Sequence, residues 1–255
     1  VTSSPVSRWI DGVLTLVEPV EQPLLVADSW LLEDGRALAL DAHRDRFLQS
    51  VRRRTDIDET EAFAFWTAAI AALPRDGRHF PRLEATDSGL QLRLRPAPPL
   101  ARSVRLWTSP VDPRRVPETK GPDIPALAIL RERAVAAGAD EPVLLDAERH
   151  VVDGATSAIV WWLGDTLVTP PLTGHERVAS VTARTLSVLA GAMGVSVTEY
   201  PATPEELDGT EVWSVNALHG IRLATIWLGG PALAAQPGRL DTWRRRLDVL
   251  RRPIG

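Results

Sequence analysis

Between Pro110 and Pro125 the chain places five prolines, and no other feature limits its fold as strongly. Proline donates no backbone hydrogen bond and pushes the preceding residue toward extended geometry, so a regular helix or strand cannot run through this stretch. The chain therefore reads as two α/β halves: an N-terminal domain over 1–112, a connecting segment over 113–122 and a C-terminal domain over 123–255. With 255 residues, 44% of them apolar, it has enough material for a substantial core.

In the first half, Gln22 to Glu33 and Arg36 to Leu40 read as strands joined through Asp34-Gly35, a dipeptide suited to a tight hairpin turn. Asp41 is placed to cap a helix running through Arg54. Asp58-Glu59-Thr60 starts a second helix to about Leu73, with Phe63, Trp66 and Ile70 at helical spacing as its core face. Leu90, Leu92 and Leu94 alternate with Gln91, Arg93 and Arg95, the pattern of a half-buried strand, and Ser103 to Thr108 reads as its neighbour.

In the second half a helix to about Gly138 precedes strands at Pro142 to Asp146, His150 to Val152, Ala158 to Leu163 and Thr166 to Val168. A long helix over Val181 to Gly194, strands at Val195 to Tyr200, Val212 to Leu218 and Arg222 to Leu228, and a helix from Asp241 to Arg251 complete it. Alternation sends Trp161 and Trp162 to opposite faces of a strand, one into the core and one toward an interface.

Charge and composition exclude several classes. A net charge of −4 leaves no footprint for nucleic acid, and Arg52-Arg53-Arg54 and Arg244-Arg245-Arg246 fall in amphipathic helical patterns. The absence of cysteine rules out disulfides, a thiol nucleophile and thiolate metal sites. The five histidines form no metal-ligand pair at useful spacing, and no metal is expected. No apolar run approaches the roughly 18 residues of a membrane span and no signal-peptide pattern opens the chain, so a cytoplasmic protein without membrane partners is expected.

One residue stands out chemically. Lys120 is the only lysine among 29 Lys and Arg residues. Arginine can replace lysine wherever only positive charge is needed, but a guanidinium cannot act as an amine nucleophile. A free lysine is unprotonated only about once in 2,500 molecules at neutral pH, so a reactive one needs a depressed pKa or a covalent imine.

The order of motifs after Lys120 carries a resemblance. Lys120 is followed by Ala139-Asp140-Glu141-Pro142-Val143-Leu144-Leu145-Asp146, then by Val151-Val152-Asp153-Gly154-Ala155-Thr156-Ser157-Ala158-Ile159-Val160. Leu167-Val168-Thr169-Pro170-Pro171 comes next, and Ser180-Val181-Thr182 opens a helix. The series resembles the class IV aminotransferases, pyridoxal-phosphate enzymes of fold type IV. The resemblance implies two domains, a small N-terminal α/β domain and a larger C-terminal mixed-sheet or pseudo-barrel domain, with pyridoxal 5′-phosphate between them and a homodimer as the working unit.

It also implies residue roles. Lys120 matches the lysine that bonds covalently to the cofactor and shuttles the substrate α-proton, and Arg46, in His43-Arg44-Asp45-Arg46-Phe47, matches the arginine that clamps the phosphate. Val181 and Thr182 match residues whose backbone amides receive the phosphate at a helix N-terminus. Asp153 stands where the family usually has a glutamate pairing with the pyridine nitrogen. Ala158 replaces a frequent asparagine.

Within the family, Ser214-Val215-Asn216-Ala217-Leu218 is similar to a stretch of aminodeoxychorismate lyases, which assigns Asn216 and Ala217 to the cofactor. Asp123 stands where lyases tend to carry asparagine, and the single tyrosine, Tyr200, leaves no tyrosines of the kind aminotransferases use. Val26-Ala27-Asp28-Ser29 replaces the usual N-terminal signature, with Ser29 near a lyase hydroxyl that assists proton transfer. Arg95 matches an arginine that receives a substrate carboxylate. The expected reaction on a small-molecule amino substrate is cleavage of 4-amino-4-deoxychorismate to 4-aminobenzoate and pyruvate. The alternatives are a branched-chain or D-amino-acid aminotransferase and a non-catalytic family member.

Overall fold

A computed structural model describes residues 4–172 and 177–255. The chain forms two compact units, one of residues 4–100, 119–124 and 250–255, the other of 101–118, 125–172 and 177–249. The short passage 119–124, which carries Lys120, belongs to the first unit although the chain on both sides of it belongs to the second.

The first unit contains β1 (Val6–Ile10), β2 (Val13–Val17), β3 (Val26–Ser29), β4 (Leu32–Glu33), β5 (Arg36–Ala37), α1 (Leu40–Arg54), α2 (Glu59–Ala71), β6 (Arg78–His79), β7 (Arg82–Thr86) and β8 (Gly89–Arg93). Five of these strands form an antiparallel sheet in the order β2-β1-β8-β7-β3. β4 and β5 pair through the expected Asp34-Gly35 turn, both residues at positive φ (47° and 68°), but the strand expected over Gln22 to Glu33 is broken into β3, which joins the five-stranded sheet, and the short β4. α1 and α2 present Phe47, Phe65 and Trp66, which pack with Trp9 and Trp30 at ring-centroid distances of 5.3 to 6.1 Å. Each fully buried ring contributes roughly 2–3 kcal/mol over its exposed state.

Several sequence expectations change here. Asp41 is not the cap of α1; Ala39 is, at φ 49°, and Asp41 lies in the first turn with an ion pair to Arg44. An aspartate there favours the helix through the dipole without capping it. Asp58 does cap α2, accepting from the amides of Thr60 and Glu61. Phe63 is half exposed, because the buried stripe runs through Ala62, Phe65, Trp66, Ala69 and Ile70. β1, β2 and β7 had no reading at all from the sequence. β8 is buried on both faces rather than one: Gln91 and Arg93 gather on Glu84 of β7, so the polar face needs no water.

The second unit is built on an eight-stranded mixed sheet in the order β11-β10-β9-β16-β15-β12-β13-β14. Its strands are β9 (Ser103–Thr108), β10 (Glu141–Leu145), β11 (Val151–Gly154), β12 (Ala158–Leu163), β13 (Thr166–Thr169), β14 (Val197–Glu199), β15 (Glu211–Asn216) and β16 (Gly220–Leu228). Its helices are α3 (Ile124–Ala136), all but the first residue of which belongs to this unit, α4 (Val181–Ala192) and α5 (Arg239–Asp248). β9, expected beside β8, instead lies parallel to β10 and β16 in this sheet. Alternation gave its exposure pattern but could not choose its partner. Val104, Leu106, Val143, Ile159, Trp161, Val212 and Trp227 form the core on one face. Trp162 points the other way, as alternation requires, yet it is buried too, against Trp213 of β15 and Trp243 of α5. It faces a helix of its own unit and not an interface.

Candidate active site

In the first unit, β3 anchors the groups of interest. The Ala27 amide donates to the Lys120 carbonyl at 2.7 Å. Gly121 follows at φ 140°, where an added Cβ would stand 2.8 Å from the Ala27 nitrogen and 2.9 Å from Val26. Only glycine permits that approach, so the backbone carrying the lone lysine is held tightly to the strand. Asp123, at the end of the same passage, is buried.

One residue further along β3, Asp28 is fully buried. Its carboxylate accepts from Arg46 Nε and Nη2 at 2.8 Å each and lies 2.7 Å from His43 Nδ1, which donates when the carboxylate is ionised. Burial alone would raise the Asp28 pKa, but the charges and hydrogen bonds of Arg46 and His43 prevail and hold it well below the usual carboxylate range. Burial pushes the His43 pKa down; Asp28 opposes this, while the positive charges of Arg46 and Lys120 add to it. The lysine's charge is thus felt at the cluster containing Arg46. Spacing i, i+3 on α1 puts His43 and Arg46 on one helix face, a signal legible in the sequence; their acidic partner was not.

Ser29 and Arg95 meet: Arg95 Nη2 donates to Ser29 Oγ at 3.2 Å, Nε donates to the Phe80 carbonyl at 3.1 Å, and the guanidinium stacks over the Phe80 ring at 4.8 Å. Burial, with Arg82 and Arg93 nearby, lowers the Arg95 pKa to about 10 against the opposing pull of Glu84. The register Ser29↔Arg82↔Arg93 places three of these groups side by side on one sheet face.

The second unit carries the remaining candidates. Asp153, in β11, is buried, with Arg114 Nη1 3.8 Å from its Oδ2. Burial pushes its pKa up to about 7, against the lowering effect of Arg114 and Arg177 and a bond from the Gly154 amide. The turn after it is pinned by Glu141, which accepts from the Thr156 amide at 2.6 Å and the Thr156 hydroxyl at 2.7 Å, and from Arg222 at 3.2 Å. Arg222 also donates to Ser214, which bonds Ser157 at 2.8 Å. An added Cβ at Gly154 would lie 2.8 Å from both Glu141 and Ser157.

Val181 and Thr182 are buried in the first turn of α4, whose cap Ser180 accepts from the Ala183 amide at 3.2 Å. Amides so early in a helix have no intrahelical acceptor, which suits an anion. Asn216 is engaged locally: its Oδ1 accepts from the amides of Leu218 and His219, shaping the turn that contains Ala217. The lone tyrosine, Tyr200, is exposed after β14.

Two other places compete for attention. Asp146, Glu148 and His150 bring ligand-type atoms within 4.8 Å of one another. Asp146 is occupied in shaping the β10–β11 turn, accepting from the His150 amide at 2.7 Å and facing its Nδ1 at 3.2 Å. A cavity of about 390 Å³ beside it, lined by Ser109, Asp112, Asp146 and Arg149, includes none of the expected site residues. His175 lies outside the described residues.

Functional groups missed from the sequence are Asp28, Arg114, Arg177, Glu141 and Arg222. Asp28, Glu141 and Arg222 meet partners on other elements, and Arg114, although paired with Asp112 two residues away, reaches Asp153 only across the fold, so spacing does not mark them as one group.

The profile described as amino-transferase class IV matches residues 25–227. No curated protein matches the chain significantly. Among solved structures, a hypothetical aminotransferase from Mycobacterium tuberculosis, in a form bound to alpha-ketoglutarate and PMP, superposes with a TM-score of 0.78 at 18% identity, covering 97% of this chain and 98% of that one. A branched-chain aminotransferase from Thermoproteus uzoniensis with norvaline gives 0.77 at 22% identity, covering 99% and 100%. The branched-chain amino acid aminotransferase from Escherichia coli gives 0.73 at 16%, covering 96% and 92%. The fold is shared with each of them.

Proposed function

We propose that this chain, which belongs to the class IV aminotransferase family, is a lyase that converts 4-amino-4-deoxychorismate to 4-aminobenzoate and pyruvate. The family's cofactor is pyridoxal 5′-phosphate, and the donor set fits it. Lys120 supplies an amine and Arg46 a guanidinium for phosphate. Asp153 supplies a buried carboxylate suited to a protonated ring nitrogen, and the α4 amides of Val181 and Thr182 suit an anion. When bound, the cofactor supplies an electron sink conjugated to the substrate amine. Lys120 would be the residue that bonds the cofactor, and its amine, when free, would be the base that takes the proton adjacent to the substrate amine.

The observation that carries the lyase reading is the contact between Arg95 and Ser29. A half-buried guanidinium held at the Ser29 hydroxyl favours an anionic substrate over an aliphatic side chain, and it orients a hydroxyl able to relay a proton. The exposure of Tyr200 supports the same reading, since no tyrosine is placed in the interior. Asp123 and Ala217 are assigned to the site on the resemblance alone.

The second reading is a branched-chain aminotransferase, favoured by the likeness to the Thermoproteus uzoniensis and Escherichia coli enzymes. Incubating the cofactor-loaded protein with 4-amino-4-deoxychorismate and no keto acid separates the two. Release of 4-aminobenzoate and pyruvate supports the lyase; turnover only with an amino acid and a keto-acid acceptor overturns it. A homodimer is part of the proposal and is checked by light scattering. Among the described residues, no helix is long and apolar enough to cross a membrane.

A further inference from the structure

We propose that Asp28 is a positioning residue for Arg46, fixing the arginine fork before any phosphate arrives. The inference rests on the reading that Arg46 receives the cofactor phosphate. Asp28 Oδ2 accepts from Arg46 Nε and Oδ1 from Arg46 Nη2, both at 2.8 Å, so the two bonds set the plane of the guanidinium as well as its place. His43 Nδ1, 2.7 Å from Oδ1, fixes the carboxylate in turn.

The geometry is held by regular structure throughout. Asp28 lies on β3, paired with Leu83 of β7, and His43 and Arg46 lie on α1, which packs on β3. The neighbouring residue Ala27 holds the Lys120 backbone. One strand thus sets both the lysine and the arginine, with adjacent residues serving each. An arginine reaching for phosphate from solvent must give up rotamer freedom on binding; here the two bonds to Asp28 already take up that freedom. A buried ion pair is weak evidence for a stabilising role, because apolar residues of similar volume often do as well, so its presence is better explained by orientation.

The test is to measure affinity for pyridoxal phosphate and for pyridoxal, which lacks the phosphate, by tryptophan fluorescence. It compares the wild-type protein, Asp28→Asn, Arg46→Gln and the double variant. Asp28→Asn should weaken pyridoxal phosphate by roughly 10- to 100-fold and leave pyridoxal nearly unchanged. In the Arg46→Gln background it should add no further loss. Equal losses for both ligands, or losses that multiply in the double variant, overturn the proposal in favour of a merely structural role. If Asp28→Asn does not fold by circular dichroism, Asp28→Glu keeps the charge and displaces the fork, and the same selective loss is expected; unchanged phosphate affinity there overturns the proposal. A wild-type protein that binds pyridoxal phosphate no more tightly than pyridoxal overturns the phosphate reading itself, a result distinct from any of these.

Discussion

Asp28 and Asp153 are both buried aspartates, and the two units treat them in opposite ways. Asp28 has three hydrogen bonds at 2.7 to 2.8 Å from Arg46 and His43 and is held well below the usual carboxylate range. Asp153 has Arg114 at 3.8 Å and a 3.2 Å bond from the Gly154 amide, and its pKa is pushed up to about 7. Burial penalises both charges alike; what differs is whether a cation is close enough to answer it. A saturated carboxylate can orient its neighbours but has nothing left to offer a ligand. One with no cation at close range is chemically suited to pair with a cationic group. The comparison teaches that, within this chain, a strained charge marks function more clearly than a satisfied one.

The largest effect that can break this division is at Lys120, whose charge contributes to the Asp28–His43–Arg46 cluster. Lys120→Ala should lower turnover by roughly 10³-fold or more, measured as 4-aminobenzoate release, while the protein stays folded. A variant with near wild-type turnover removes lysine from the chemistry.

Asp28 comes next. Its folded pKa is depressed, so its contribution to stability is present above the unfolded value near 4 and is lost as pH falls below that. Asp28→Asn should destabilise the protein by about 3 kcal/mol at neutral pH, because one partner of a buried pair is removed. Denaturant melts should show the deficit shrinking below about pH 4.

Asp153 should behave in the opposite sense. Its folded pKa of about 7 stands above the unfolded value, so it favours folding most below about pH 4 and loses that advantage as pH rises to 7. Asp153→Asn should therefore stabilise the cofactor-free protein by roughly 2 kcal/mol at pH 8, with the gain vanishing near pH 4. Asp153→Asn should also weaken cofactor binding, and Asp153→Glu should restore it. Destabilisation at pH 8 would show that its charge is already matched within the unit.

The smallest expected effect sharpens the substrate side. Ser29→Ala should reduce lyase turnover by about 3- to 10-fold without changing cofactor binding, since it removes one neutral hydroxyl contact held by Arg95. An unchanged rate would leave Arg95 acting alone.

Much of this was legible in the sequence, for reasons that can be named. The Asp34-Gly35 turn, the Asp58 cap, the strands of the second sheet and the α4 start at Ser180 rest on local chemistry and were readable. Lys120 and Arg46 were singled out by residue type and motif order. What escaped was the long-range pairing. β9 alternates as a strand should, but nothing local assigns it to β10 and β16. Arg93 looked like a solvent-facing residue until Glu84, on a strand with no clear pattern, was found beside it. Asp28 was visible only as part of an unfamiliar segment, because its partners lie 15 and 18 residues away on α1. Phe63 fails for a subtler reason: Trp66 and Ile70 lie on the buried stripe as expected, but one turn earlier the stripe passes through Ala62, four residues before Trp66, and not through Phe63, three before it.

The most direct test of the account uses the chain's single lysine. Wild-type protein is incubated with pyridoxal phosphate, reduced with borohydride, digested and analysed by mass spectrometry. The account predicts a phosphopyridoxyl group on the peptide containing Lys120, together with loss of the bound cofactor's visible absorbance. Unmodified Lys120 under conditions that saturate the protein with pyridoxal phosphate would contradict it.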